Sequence, residues 1–121
     1  MVNFEDERPI FVQIGKVIED GILSGAFPEE TQIPSTTEFA VNYKINPATA
    51  LKGINILVED GIVYKKRGVG MFVTTGAIKA LRNKRKNDFF NDYIIKVTAE
   101  AKKLDLSKED IITMIERGFE R

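Results

Sequence analysis

The segment "PSTTEFAVNYKINPATALKGINILVEDG", residues 34–61, contains two helix starts in close succession, and few folds accommodate that. Ser35 stands three residues before Glu38, the pattern in which each side chain satisfies the other's backbone N–H at a helix N-terminus. Asn46 followed by Pro47 repeats the signal, because Asn caps and the fixed φ of Pro suits the first helical position. The pair predicts a short helix over residues 36–42, with Phe39 and Ala40 facing inward. A three-to-four residue turn through "YKI" then leads to a longer helix, whose Ile54, Leu57 and Val58 face a core before Gly61 ends it. Two helices joined so tightly make a helix-turn-helix.

The flanks extend this unit. Ile10, Ile14, Val17, Ile18 and Leu23 recur at helical spacing after Pro9, and "SGAFP" supplies the stop, so a preceding helix is expected over residues 9–24. After Gly61, "IVYK" and "MFVT" are rich in β-formers and are joined through "KRGVG", whose glycines permit positive backbone dihedrals. A hairpin there makes the unit winged. Its tip carries Lys65, Lys66 and Arg67. In isolation such a basic turn reads as a solvated guard against edge pairing; directly after a helix-turn-helix it reads as a surface that touches DNA.

The sequence contains no Cys and no His. That removes the commonest catalytic base, the commonest nucleophilic thiol and most zinc ligand sets. Neither an enzyme, nor a metal, nor a cofactor is expected. The formal charge is zero, 18 cations against 18 anions, which does not by itself suit a nucleic-acid partner. Distribution decides the matter: Lys44 to Arg67 holds five cations and two anions, whereas most acids in residues 1–75 sit before that stretch, chiefly at Glu5, Asp6, Glu7, Glu19, Asp20, Glu29 and Glu30. The start "MVNFEDER" lacks the basic and apolar regions of a signal peptide, and no apolar run reaches the length of a membrane span. A cytoplasmic protein with no membrane partner is expected.

Beyond Gly76 the pattern changes. Ile78, Leu81, Phe89, Phe90, Tyr93, Ile94, Val97, Ala101 and Leu104 follow helical spacing and predict one long amphipathic helix. Ser107 with Asp110, and Leu106 facing Ile111, start a last helix with Ile111, Ile112, Ile115 and Phe119 on its apolar face. Two helices cannot bury that much apolar surface unaided. Phe89, Phe90, Tyr93, Ile94, Val97, Ile111, Ile112, Ile115 and Phe119 therefore need cover from the first domain or from a second copy of the chain, the latter making them a homodimer seam. The cluster Lys79, Arg82, Lys84, Arg85 and Lys86 reads first as a solvated helix face and second as a flank that attracts DNA. The expected organisation is mainly α with a small β-hairpin wing: residues 1–75 a winged helix-turn-helix, residues 76–121 two helices for dimerisation and for any effector. Whether a small molecule binds is left open by the sequence.

Over residues 9–73, with "PIFVQI", "INPATALK" and "YKKRGVGMFV" in order and at fitting distances, the chain resembles the winged helix-turn-helix of the GntR family of bacterial transcription regulators. The "INPATALK" and "YKKRGVGMFV" segments, with so short a C-terminal part, look most like the YtrA-type subfamily, whose two terminal helices dimerise and whose members commonly regulate operons encoding ABC transporters. The resemblance implies a recognition helix in the major groove and a wing in the adjacent minor groove. The contacts it implies are Ser35, Thr36 and Thr37 before the turn, Asn46, Ala48, Thr49 and Lys52 after it, and Arg67, Gly68 and Gly70 in the wing. Lys44 and Lys66 add charge against phosphates. Many family members carry Arg at the positions of Thr37, Pro47 and Leu51, where this chain has none, so direct readout shifts to Thr49, Lys52 and Arg67 or to DNA shape. The function implied is a homodimeric, DNA-binding repressor on a palindromic operator; the alternative is a winged helix that binds proteins.

Overall fold

The computed structural model describes residues 7–121, in two compact units, one ending at Asn83 and one spanning Lys84–Arg121. In the first, helix α1 (Ile10–Ser24) places Ile14, Ile18 and Ile22 on one side at four-residue intervals, and all three are fully buried. Each such side chain stabilises the fold by about 2 kcal/mol when taken from water. Gly25 ends α1 in the left-handed region, and its N–H donates to the Ile22 carbonyl.

Helices α2 (Thr36–Tyr43) and α3 (Pro47–Glu59) form as their caps dictate. Ser35 Oγ accepts the Glu38 N–H at 3.1 Å while Glu38 Oε1 accepts the Ser35 N–H at 3.0 Å. Asn46 Oδ1 accepts the Ala48 N–H at 2.7 Å. Between the helices Lys44 takes φ 55, and Ile45 N–H donates to the Ala40 carbonyl, closing α2 with a left-handed turn usually given to Gly or Asn. Ala50, Gly53, Ile54 and Leu57 of α3 pack inward against α1. Gly53 is required there: a Cβ on it would lie 2.6 Å from the Phe11 carbonyl oxygen and 3.0 Å from Ile14.

Strands β1 (Val63–Lys66) and β2 (Gly70–Val73) pair antiparallel, Val63 opposite Val73 and Lys66 opposite Gly70. Val63 and Val73 close the core from below, at 1% and 0% exposure. Helix α4 (Ala77–Phe89) begins in the same unit, since Ala77 and Leu81 are buried in its core. That explains why the unit runs on past Gly76 to Asn83.

The second unit holds the rest of α4, a π-helical segment (Phe90–Ile94), α5 (Ile95–Lys103) and α6 (Lys108–Phe119). Apolar periodicity predicts one uninterrupted helix here. The structure instead widens one turn, with Ile95 N–H donating to the Phe90 carbonyl five residues back. A turn of that kind inserts a residue into the helical register, which period counting does not detect. The predicted cap of α6 is present: Ser107 Oγ accepts from Asp110 N–H at 3.0 Å and Asp110 Oδ2 from Ser107 N–H at 2.9 Å.

Candidate nucleic-acid interface

With Ala50, Gly53, Ile54 and Leu57 turned inward, α3 presents Ala48, Leu51, Lys52, Asn55 and Glu59 to solvent. These positions recur at three- and four-residue intervals and make a single stripe. Thr49 lies half-buried on its flank. Of the sequence-predicted residues, Ala48 and Lys52 therefore share the outer face, while Asn46 and Ser35 spend a side-chain oxygen on capping and keep only their donors for a ligand. Thr37 and Lys44 are exposed, Thr36 half-buried. The Lys52 ammonium stands 4.2 Å above the Phe11 ring of α1, drawn toward that helix by a cation–π contact. Leu51 and Asn55 were not among the expected contacts, although the spacing of the inward residues would have exposed them.

The wing is a braced hairpin. At its tip Val69 N–H donates to the Lys66 carbonyl at 2.9 Å, with Arg67 and Gly68 between them and Gly68 at φ 77. A positive φ at that turn position calls for glycine. Arg67, Gly68 and Val69 are exposed, and the Lys66 ammonium lies 4.8 Å over the Phe72 ring. Across the strands Tyr64 and Phe72 stack with centroids 6.0 Å apart.

Residues 30–33 brace the hairpin from outside, a role that sequence reading missed. Glu30 N–H donates to the Val73 carbonyl at 2.8 Å, Val73 N–H to the Thr31 carbonyl and Ile33 N–H to the Met71 carbonyl, both at 3.0 Å. Gln32 Nε2 donates to the Val69 carbonyl at 3.0 Å. The Gln32 amide lies against Gly70, and a Cβ at that position would make this side chain shift and give up its bond to Val69. The backbone φ of 146 is what favours glycine at position 70.

Two adjacent carboxylates fasten the wing's base. Glu30, itself at φ 63, accepts from the Thr75 hydroxyl at 2.6 Å, the Tyr64 hydroxyl at 2.7 Å and the Thr75 N–H at 3.0 Å. Glu29 accepts the Ile78 N–H at 3.1 Å, at the start of α4 where the helix dipole favours an anion. Donors at each site hold both carboxyls below the ordinary Glu value: the Thr75 hydroxyl and then Tyr64 for Glu30, the backbone of Gly76 and then of Ile78 for Glu29. The same bond pushes the Tyr64 phenol up. Among the described residues no group of three or more His, Cys, Asp or Glu stands together as a metal site. No helix among them is long and apolar enough to cross a membrane.

The second unit has different chemistry. Phe89, Phe90, Tyr93, Val97, Ile112 and Ile115 are 42–60% exposed and Phe119 88%, while Ile94 and Ile111 are half-buried. Ile95, Leu104 and Met114 extend this apolar surface. Ala101 is the one hydrophobic residue of the unit buried in the chain alone, among the described residues. Phe89 and Tyr93, one turn apart, place their rings 5.1 Å from each other beside the π-helical segment.

Helix-turn-helix, hairpin and the outward face of α3 together define a winged-helix fold. The profile of "Bacterial regulatory proteins, gntR family" matches residues 11–73, more than half of the 121, and the chain belongs to the GntR family. The HTH-type transcriptional regulator YhcF of Bacillus subtilis is 26% identical over 112 residues, 91% of this chain and 89% of YhcF. YurK, an HTH-type transcriptional regulator of the same bacterium, is 29% identical over 79 residues, 65% of this chain but only 33% of its own. The repressor NagR of Bacillus subtilis is 29% identical over 73 residues, and the chain covers 60% of itself and 30% of NagR in that match. The chain thus spans about a third of the length of YurK and NagR.

Solved structures agree. A GntR-family regulator from Listeria monocytogenes superposes with a TM-score of 0.76 at 29% identity, over 94% of this chain and 98% of its own. One from Bacteroides thetaiotaomicron gives 0.71 at 32% identity, over 93% and 97%. The DNA-binding domain of AraR in complex with operator ORX1 gives 0.55 at 28% identity, over 60% and 87%. Family and neighbours alike are transcription regulators, not enzymes.

Proposed function

We propose that the protein is a homodimeric, DNA-binding repressor of the YtrA type that works in the cytoplasm on a palindromic operator, with residues 1–75 touching DNA and residues 76–121 joining two copies. The observation that carries this reading is the pairing of an exposed α3 stripe with a wing held rigid by residues 30–33. A recognition helix and a positioned wing are what a duplex groove requires. The likeness to a regulator seated on its operator supports the partner. The bare apolar faces of Lys84–Arg121 support the second copy, because two-fold symmetry presents one recognition helix to each half of a palindrome. Ser35, Thr36, Thr37, Lys44, Asn46 and Lys66 hold phosphates, Ala48, Thr49 and Lys52 face base edges, and Arg67, Gly68 and Gly70 enter the minor groove.

Affinity for a duplex selected by the intact protein from random sequence, followed by fluorescence anisotropy across a salt series, tests this. A dimer neutralising about six to eight phosphates gives a log–log slope of about −5 to −7. A slope flatter than about −2 would overturn the assignment and favour a protein partner. The subfamily resemblance favours a transporter operon as the target, and the selected sequence should then occur upstream of one.

A further inference from the structure

On the outer stripe of α3 the chemistry is unusual for a base-reading helix. Its exposed members nearest the N-terminus are Ala48 and Leu51, and Leu51 is 42% exposed although four other α3 residues fill the core. A single exposed Leu means little by itself. Here it borders a shallow depression of about 400 Å³ whose lining includes Ala48, Lys52 and Asn55. Residues Pro47–Glu59 contain no Arg, the side chain that forks onto guanine. The one cation, Lys52, is turned toward Phe11.

What remains at the front of the helix is a methyl, an isobutyl group and, further along, a carboxamide. We infer that Ala48 and Leu51 read the C5-methyl groups of thymines on adjacent base pairs, so that the half-site facing α3 is A·T at two consecutive positions. This rests on the DNA-binding reading above. Apolar contact with the thymine methyl is the readout open to such side chains, and a buried methyl there replaces the hydrogen bonds that Arg would make elsewhere. Spacing agrees as well. Residues three apart on a helix are about 4.5 Å apart along its axis, close to one base-pair step of about 3.4 Å. Asn55, two turns further along the helix than Ala48, lies about three base-pair steps from it and is not needed for this readout.

The test exchanges thymine for deoxyuridine, which removes only that methyl, one position at a time in a duplex selected by the intact protein. Two adjacent positions in each half-site should each weaken binding about fourfold, the effect of exposing one methyl. Leu51→Ala should bind the thymine duplex more weakly, lose its response at one of the two positions and keep it at the other. Leu51→Met should keep both responses. Leu51 has no core role, so both variants should unfold with the wild type. If the wild type prefers its selected duplex over random DNA yet binds every uridine version equally, the methyl readout is wrong and the regulator reading stands. Undiminished uridine sensitivity of Leu51→Ala would likewise remove Leu51 from the role. If no duplex is preferred at all, both readings fall together.

Discussion

The two units of this chain use the same local grammar and reach opposite outcomes. Ser35 with Glu38 starts α2, and Ser107 with Asp110 starts α6, each through a reciprocal pair of side-chain to backbone bonds. Both caps form. Yet in the unit ending at Asn83 the apolar faces meet one another, and eight residues from Ile14 to Leu81 show no exposure at all. In Lys84–Arg121, Ala101 alone is buried. Capping decides where a helix begins; only burial decides whether the unit stands without help. The winged unit holds itself together, and the second unit depends on whatever covers Phe90, Tyr93, Ile112 and Ile115.

The sharpest way to break that contrast is to make matched truncations. Leu57→Ala removes a fully buried side chain and should cost about 2–5 kcal/mol at any protein concentration. Ile115→Ala removes one that is 47% exposed, and in dilute protein should cost less than about 1 kcal/mol. At high concentration its cost should grow as self-association is lost. Urea unfolding at micromolar and at hundredfold higher concentration, beside sedimentation, reads both. Equal costs independent of concentration would show that the second unit owns a core after all.

Two glycines sharpen the same contrast with opposite signs. Gly53→Ala forces a methyl against the Phe11 carbonyl, backbone that cannot swing aside, and should destabilise by about 1–3 kcal/mol while loosening α3 from α1. Gly118→Ala in α6 meets nothing within 4 Å and should stabilise by up to about 0.5 kcal/mol through helix propensity. Thermal unfolding decides both. A loss of dimerisation in Gly118→Ala would place that position inside the seam.

Much of the winged unit was legible because its signals are local. Caps at Ser35 and Asn46, the periodic Ile14, Ile18 and Ile22, and the glycines of the turn each act within a few residues. What was not legible acts at a distance. Glu30 reaches Tyr64 across 34 residues and Thr75 across 45, and Gln32 reaches Val69 across 37. No period or spacing marks such partners, so "PEETQ" reads as a plain polar loop although it fixes the wing. The outer face of α3 was half legible: resemblance supplied Ala48, Thr49 and Lys52, while Leu51 was noted only for the Arg it lacks. Its exposure, and the turn of Lys52 onto Phe11, required coordinates. The π-helical segment escaped because the apolar stripe of Phe89 to Val97 fits an ordinary helix nearly as well.

The smallest expected effect tests whether the wing's base is held by charge as well as by packing. Glu30 has its carboxyl lowered by the hydroxyl of Thr75, by Tyr64, by the Thr75 N–H and by the nearby Lys66 charge. Glu29 is lowered by the backbone of Gly76 and Ile78 and opposed by the charge of Glu30. A carboxyl whose folded value lies below its unfolded one contributes stability that is fully present above the unfolded value. That contribution is lost as pH falls through the ordinary carboxylate range toward the folded value. Tyr64 moves the other way, since its raised phenol gives stability present below its unfolded value and lost as pH rises through the folded one. Thermal scans of wild type and Glu30→Gln from acid to neutral pH should therefore show a gap that is widest near neutrality and closes in acid. A gap constant with pH would mean that Glu30 acts only through its shape and its left-handed backbone, and that the two units differ in packing alone.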